Sequence, residues 1–132
     1  MSNIVFEKWI PVSDLPNELY LKELHQDSEG FRLFFKGKNS NEKILQIVFD
    51  MPLVYRNLDE GDYLQTIGPG VNGWSLFVVH NSEYLAWFNN ESQGIHEKQN
   101  VIHYAIYTPN DCIDILSAYP PEVKWLNTHN KV

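Results

Sequence analysis

The chain has 132 residues, 43% of them apolar and 20% charged, so one core-forming domain fits and two ordinary ones do not. Ten basic against seventeen acidic residues give a net charge of −7, which disfavours nucleic acid and suits a basic protein partner. The single cysteine, Cys112, excludes an internal disulfide framework and a thiolate zinc site. No apolar run reaches the ~18–20 residues that span a bilayer.

The N-terminal stretch lacks a basic region followed by an apolar one, so no signal peptide is read and a cytoplasmic location is expected. Ile4 to Val12 alternates loosely and reads as a strand closed by Pro11. Asp14-Leu15-Pro16-Asn17 is a turn, and Leu19 to Leu24 leans towards strand. Asp27-Ser28-Glu29-Gly30 is a second turn, with glycine free to take positive φ. Beyond it Phe31, Leu33 and Phe35 share one face, while Arg32, Phe34 and Lys36 share the other. Lys43 to Phe49 is apolar except at Gln46 and should be a strand covered on both faces. These two runs form the best hairpin candidate.

Met51-Pro52 stops that strand, and the polar stretch Tyr55 to Tyr63 reads as a loop or short helical turn. Gly68 to Gly73 is glycine-rich, but no Lys-Ser/Thr follows, so it reads as a flexible loop rather than a phosphate cradle. Trp74 to Val79 is an apolar strand. Asn81-Ser82-Glu83 opens a helix over about 82–91, since Asn or Ser accepts free amides and Glu83 suits the positive end. Tyr84, Trp87 and Phe88 fall at i, i+3 and i+4 and read as a core-facing stripe, with an exposed interface anchor as the competing role. Gly94 is a plausible stop. Val101 to Tyr107 and Cys112 to Leu116 are further strands, and Val123 to Leu126 adds an edge strand that could serve assembly. The residues from 127 onward should fray. The resulting fold class is α+β: a single domain, 1–132, of mostly antiparallel β-sheet with one main helix packed on it.

No serine-hydrolase elbow motif and no His-Glu-x-x-His metal motif is present. His80 and His103 follow or lie within apolar strands. Were those strands neighbours, both imidazoles would reach one pocket, walled by Trp74 or Tyr104. A metal there would need a third ligand such as Asp111 or Asp114; otherwise both histidines are ordinary hydrogen-bonded residues, and no metal or cofactor is expected. Cys112 has acidic sequence neighbours, which disfavour a thiolate, so it reads as a small buried apolar group. Asp59, Glu60 and Asp62 put three carboxylates in four positions without calcium-loop spacing. They read as a solvated acidic loop or as a docking patch for a basic partner. Tyr55 and Tyr63 would be its aromatic anchors, and Arg56 could pair with one of the acids.

Five stretches occur together: Phe49-Asp50; Tyr55-Arg56-x-x-Asp59-Glu60-Gly61-Asp62; Trp74-Ser75-Leu76-Phe77; Asn81-Ser82-x-Tyr84-Leu85-x-Trp87-Phe88; and His103-Tyr104-x-Ile106-x-Thr108-Pro109-Asn110-Asp111. Over about residues 4–126 the chain resembles small bacterial proteins found beside polymorphic or contact-dependent toxins, the immunity type. The resemblance implies a binding role rather than a reaction. With the net charge of −7, the leading expectation is an immunity-type protein that occludes a basic toxin domain, with charge at Asp59, Glu60 and Asp62 and anchors at Tyr55 and Tyr63. The alternative is a small-ligand-binding domain or minor enzyme with a site at Trp74, His80, His103 and Tyr104.

Overall fold

In the computed structural model, which describes residues 4–37, 43–59 and 73–127, two antiparallel sheets face each other. The strands are β1 (Val5–Lys8), β2 (Leu19–Asp27), β3 (Gly30–Gly37), β4 (Lys43–Phe49) and β5 (Val54–Asp59). They are followed by β6 (Leu76–His80), helix α1 (Glu83–Glu91), β7 (Ile102–Tyr107), β8 (Asp111–Ser117) and β9 (Glu122–Asn127). One sheet has the order β1-β6-β7-β8-β5 and the other β2-β3-β4-β9.

The core between the sheets follows from side-chain alternation. Phe31, Leu33 and Phe35 pair in register with Phe49, Ile47 and Leu45, so all six point to one face of the β3–β4 hairpin. They meet Leu76, Tyr104, Ile106, Ile113 and Ile115 from the five-stranded sheet. Each fully buried side chain of this kind contributes roughly 1.5–3 kcal/mol relative to exposure. Gly30 takes φ +110 at the end of the two-residue β2–β3 turn, where Asp27 Oδ1 accepts from the Glu29 amide at 2.9 Å.

The five-stranded sheet is covered on its other face too. There Phe77, Val79, Ala105, Tyr107 and Cys112 form a second apolar cluster, with Ile4, Phe6 and Leu58 packed against it. Cys112 is fully buried in this cluster, as a small apolar group should be. Helix α1 lies over the same face and starts where the sequence indicates. Ser82 is its N-cap, with Oγ accepting from the Leu85 amide at 2.9 Å. After Glu91 the chain turns through Gly94 at φ +77, whose amide reaches the Asn89 carbonyl at 2.9 Å.

Several expectations change. The regular strand in the first segment is only Val5–Lys8, not the whole of Ile4 to Val12. Tyr55 to Asp59 is not a loop: β5 is an edge strand paired with β8 from Val54↔Leu116 to Asp59↔Asp111. The ladder supplies what its polar composition hides. Asn127 is ordered against Lys43, so β9 extends one residue into the stretch expected to fray. The fold class is as expected, α+β with mostly antiparallel strands and one main helix; the strands divide into two facing sheets, with the helix on the outer face of one. The glycine-rich stretch 68–72 and residues 38–42 lie outside the described residues.

Candidate functional site

The outer face of the five-stranded sheet carries the one polar cluster at which buried ionisable groups meet among the described residues. Its positions are fixed by register. His103 and Tyr107 alternate with the core residues Tyr104 and Ile106 on β7. Arg56 on β5 stands directly opposite Asp114 on β8, and Ala105 stands opposite it on the other side. The β7–β8 hairpin that sets this register is closed by Thr108. Its amide donates to the Asp111 carbonyl at 2.8 Å, and its hydroxyl accepts from the Asp111 amide at 2.9 Å.

Asp114 is completely buried, so its charge must be compensated. Arg56 Nε donates to Oδ2 at 3.0 Å. His103 Nε2 lies 2.7 Å from Oδ1, and the Tyr107 hydroxyl donates to the same oxygen at 3.4 Å. The other ring nitrogen of His103, Nδ1, lies 2.6 Å from Ser82 Oγ. An acceptor carboxylate on Nε2 requires the proton there; in the neutral ring Nδ1 then holds the lone pair, and Ser82 donates to it. A continuous chain therefore runs Ser82–His103–Asp114–Arg56, from the N-cap of α1 into the sheet and out along β5.

Above this chain is a stack of rings. The Arg56 guanidinium lies over Tyr84 at 4.0 Å, and Tyr84 is parallel to Trp87 at 5.7 Å and 6°. Burial pushes the Tyr84 phenol up; Arg56 opposes that rise and Asp114 adds to it. Tyr84 is buried, whereas Trp87 is 51% exposed. The apolar stripe therefore splits: Tyr84 packs edge-on against His103 at 5.5 Å, and Trp87 turns its indole to solvent. A cavity of about 40 Å³ lies beside His103, with Arg56, Tyr84, Tyr107 and Phe6 among its walls. At ~10–15 Å³ of such volume per water, it holds a few waters and no metabolite.

The residues singled out from sequence separate. His80 is exposed and bonds Glu7 Oε1 at 2.7 Å across β1 and β6. Tyr104 points into the inter-sheet core, 5.1 Å from Trp9 and 5.3 Å from Phe49, and Trp74 Nε1 donates to the Trp9 carbonyl at 3.2 Å. Only His103 of the four lies at the outer-face cluster, because neighbours along a strand point to opposite faces. Tyr55 stacks on Phe31 at 4.2 Å and donates to Gln26 Oε1 at 2.9 Å, so it ties the two sheets together. Asp59 ends β5; Glu60, Asp62 and Tyr63 lie outside the described residues. No group of three metal-binding side chains occurs among the described residues, and no helix among them is long and apolar enough to cross a membrane.

Sequence reasoning did not assemble Asp114, Arg56 and Ser82. One signal was present: an aspartate in the middle of Cys112-Ile113-Asp114-Ile115-Leu116. A carboxylate in so apolar a strand requires a buried partner. Comparison with known proteins finds no matching family model, no matching curated protein and no matching solved structure.

Proposed function

We propose that the chain is an interaction protein of the immunity type, which binds a basic toxin domain and occludes it. The observation that carries the reading is the Arg56–Tyr84–Trp87 stack. Trp87 is half exposed, yet its ring is held parallel to Tyr84, and Tyr84 lies under a guanidinium that Asp114 holds. An aromatic anchor fixed before contact loses little side-chain freedom on binding, and Trp, Tyr and Arg dominate interface energetics.

The surroundings favour a cationic partner. Glu83, Glu91 and Glu97 are exposed along α1 and the turns that follow it, with Lys98 as the opposing charge and Ile95 at 75% exposure. The whole chain carries −7. Complementary charge raises association rate and specificity, while the buried anchor slows release. The acidic sequence Asp59, Glu60 and Asp62 continues from β5, the strand that contributes Arg56 to the stack. The proposed surface therefore runs from the exposed face of α1 towards the end of β5. Tyr55 serves the fold, and Trp87 takes over the anchoring role.

The test is capture from the native host with the tagged chain, followed by binding measurements on the purified pair. The reading expects one stoichiometric basic protein whose activity the chain blocks, with Trp87→Ala weakening the complex. A stoichiometric partner that binds the Trp87→Ala chain as tightly would remove α1 from the interface.

A further inference from the structure

We propose that Ser82, His103 and Asp114 form a hydrolytic relay, with Ser82 as an acylatable nucleophile for carboxylic esters. The relay shares Asp114 with the Arg56–Tyr84–Trp87 stack, but it does not rest on the binding reading, and its test needs no partner.

Three independent features converge on Ser82. The first is the hydrogen-bonded chain. Ser82 Oγ is 2.6 Å from His103 Nδ1, and His103 Nε2 is 2.7 Å from Asp114 Oδ1. A nucleophilic hydroxyl needs an adjacent base, and the base needs a third group to fix its tautomer. His103 is 5% exposed and Asp114 not at all, so the base and its orienting acid are shielded from water. The imidazole is turned end for end relative to the common serine-protease arrangement, with Nδ1 rather than Nε2 on the serine. Either ring nitrogen can act as the base once the other carries the proton.

The second feature is the backbone. Only Asn81 and Ser82 separate β6 from α1, and Asn81 sits in the left-handed region at φ +56. The two-residue strand-to-helix turn lifts the serine out of the sheet, with Asn81 taking the left-handed angle that asparagine adopts readily. The third is electrostatic. Ser82 stands at the positive end of α1, and its Oγ accepts from the Leu85 amide at 2.9 Å. Both stabilise negative charge at Oγ.

The step balances with water alone. Oγ adds to the ester carbonyl carbon while its proton passes to His103 Nδ1. The C–O bond to the alcohol breaks, and His103 returns the proton to the leaving oxygen. Water then attacks the acyl-serine, giving up a proton to His103; the C–Oγ bond breaks, His103 returns that proton to Oγ, and the carboxylic acid leaves a free Ser82. Ser82 and His103 are the catalytic residues; Asp114 is a positioning residue.

The experiment incubates the full chain with a fluorophosphonate and reads intact mass, with peptide mapping of the adduct. p-Nitrophenyl acetate is the turnover probe. The expected result is one adduct, on Ser82. Ser82→Asn keeps a good helix cap, as its melting temperature reports, and abolishes the adduct. His103→Gln slows labelling about 10²–10⁴-fold, the usual contribution of a positioned base. Asp114→Asn lowers kcat for p-nitrophenyl acetate while leaving KM unchanged, a split that general loosening of the fold would not give. No adduct, an adduct that persists in Ser82→Asn, or labelling indifferent to His103→Gln would overturn the relay.

Discussion

Arg56 and Asp114 stand opposite each other on β5 and β8, 58 positions apart in the chain, with Nε 3.0 Å from Oδ2. The carboxylate is fully buried, and the guanidinium is 38% exposed. The pair joins the interior of the sheet to its surface, since the same guanidinium covers Tyr84 at 4.0 Å. A buried ion pair adds little net stability over an apolar pair of the same shape, but removing one partner leaves an uncompensated charge. The arrangement therefore fixes geometry more than it adds stability.

Asp114→Ala should destabilise the protein by about 1–3 kcal/mol, because the buried His103 loses its acceptor while the partly exposed Arg56 turns to solvent. Urea unfolding with an unchanged slope measures this. A loss under about 1 kcal/mol, the scale of an exposed pair, would mean that the network is not a buried one.

Trp87→Ala separates binding from folding. The indole is half exposed, so the unfolding free energy should change by no more than about 1 kcal/mol. Partner affinity should fall by about 2 kcal/mol or more, roughly 30-fold, as for a central aromatic anchor. Calorimetry of the variant alone and with partner gives both numbers.

Asp59→Lys with Glu60→Lys tests charge steering. Association should slow and its salt dependence should weaken, while the melting temperature stays close to that of the parent chain. Stopped-flow mixing across a salt series reads the effect. Unchanged kinetics would take these two acids out of the interface.

Tyr104 gives a prediction at alkaline pH. Burial raises its phenol above 10.0, the ordinary value for tyrosine. As pH rises past that value the unfolded chain loses this proton first, so it binds fewer protons than the native state. Stability must then fall, until the native phenol ionises as well. Tyr104→Phe keeps the ring and should flatten this alkaline decline, by up to about 1.4 kcal/mol per pH unit where the difference is a full proton. Denaturant midpoints from pH 9 upwards compare the two chains.

What could be read from the sequence was local. The alternation of Phe31, Leu33 and Phe35 announces a half-covered strand, and Ser82 announces a helix start, because both signals lie within a few residues. β5 escaped because Tyr55 to Asp59 is polar by itself, and its strand character comes from the ladder to β8. The two-sheet architecture escaped for a related reason. Spacing shows that a strand has an apolar face but not whether a helix or a second sheet covers it. His80 and His103 looked alike, each beside an apolar run, but His80 ends β6 at the solvent edge and His103 faces the covered side of β7. Trp87 satisfied a helical stripe on paper. In the fold α1 meets the sheet through Tyr84, and the stripe continues outward as a stack rather than inward as core.

A preset aromatic anchor beside an acidic surface should capture a basic protein. Parallel capture from the native host with the tagged parent chain and with Trp87→Ala, at low and high salt, tests this. One stoichiometric basic partner is expected on the parent chain, weakened by salt and largely lost from Trp87→Ala. Equal recovery on both chains, or no stoichiometric partner at either salt, would contradict it.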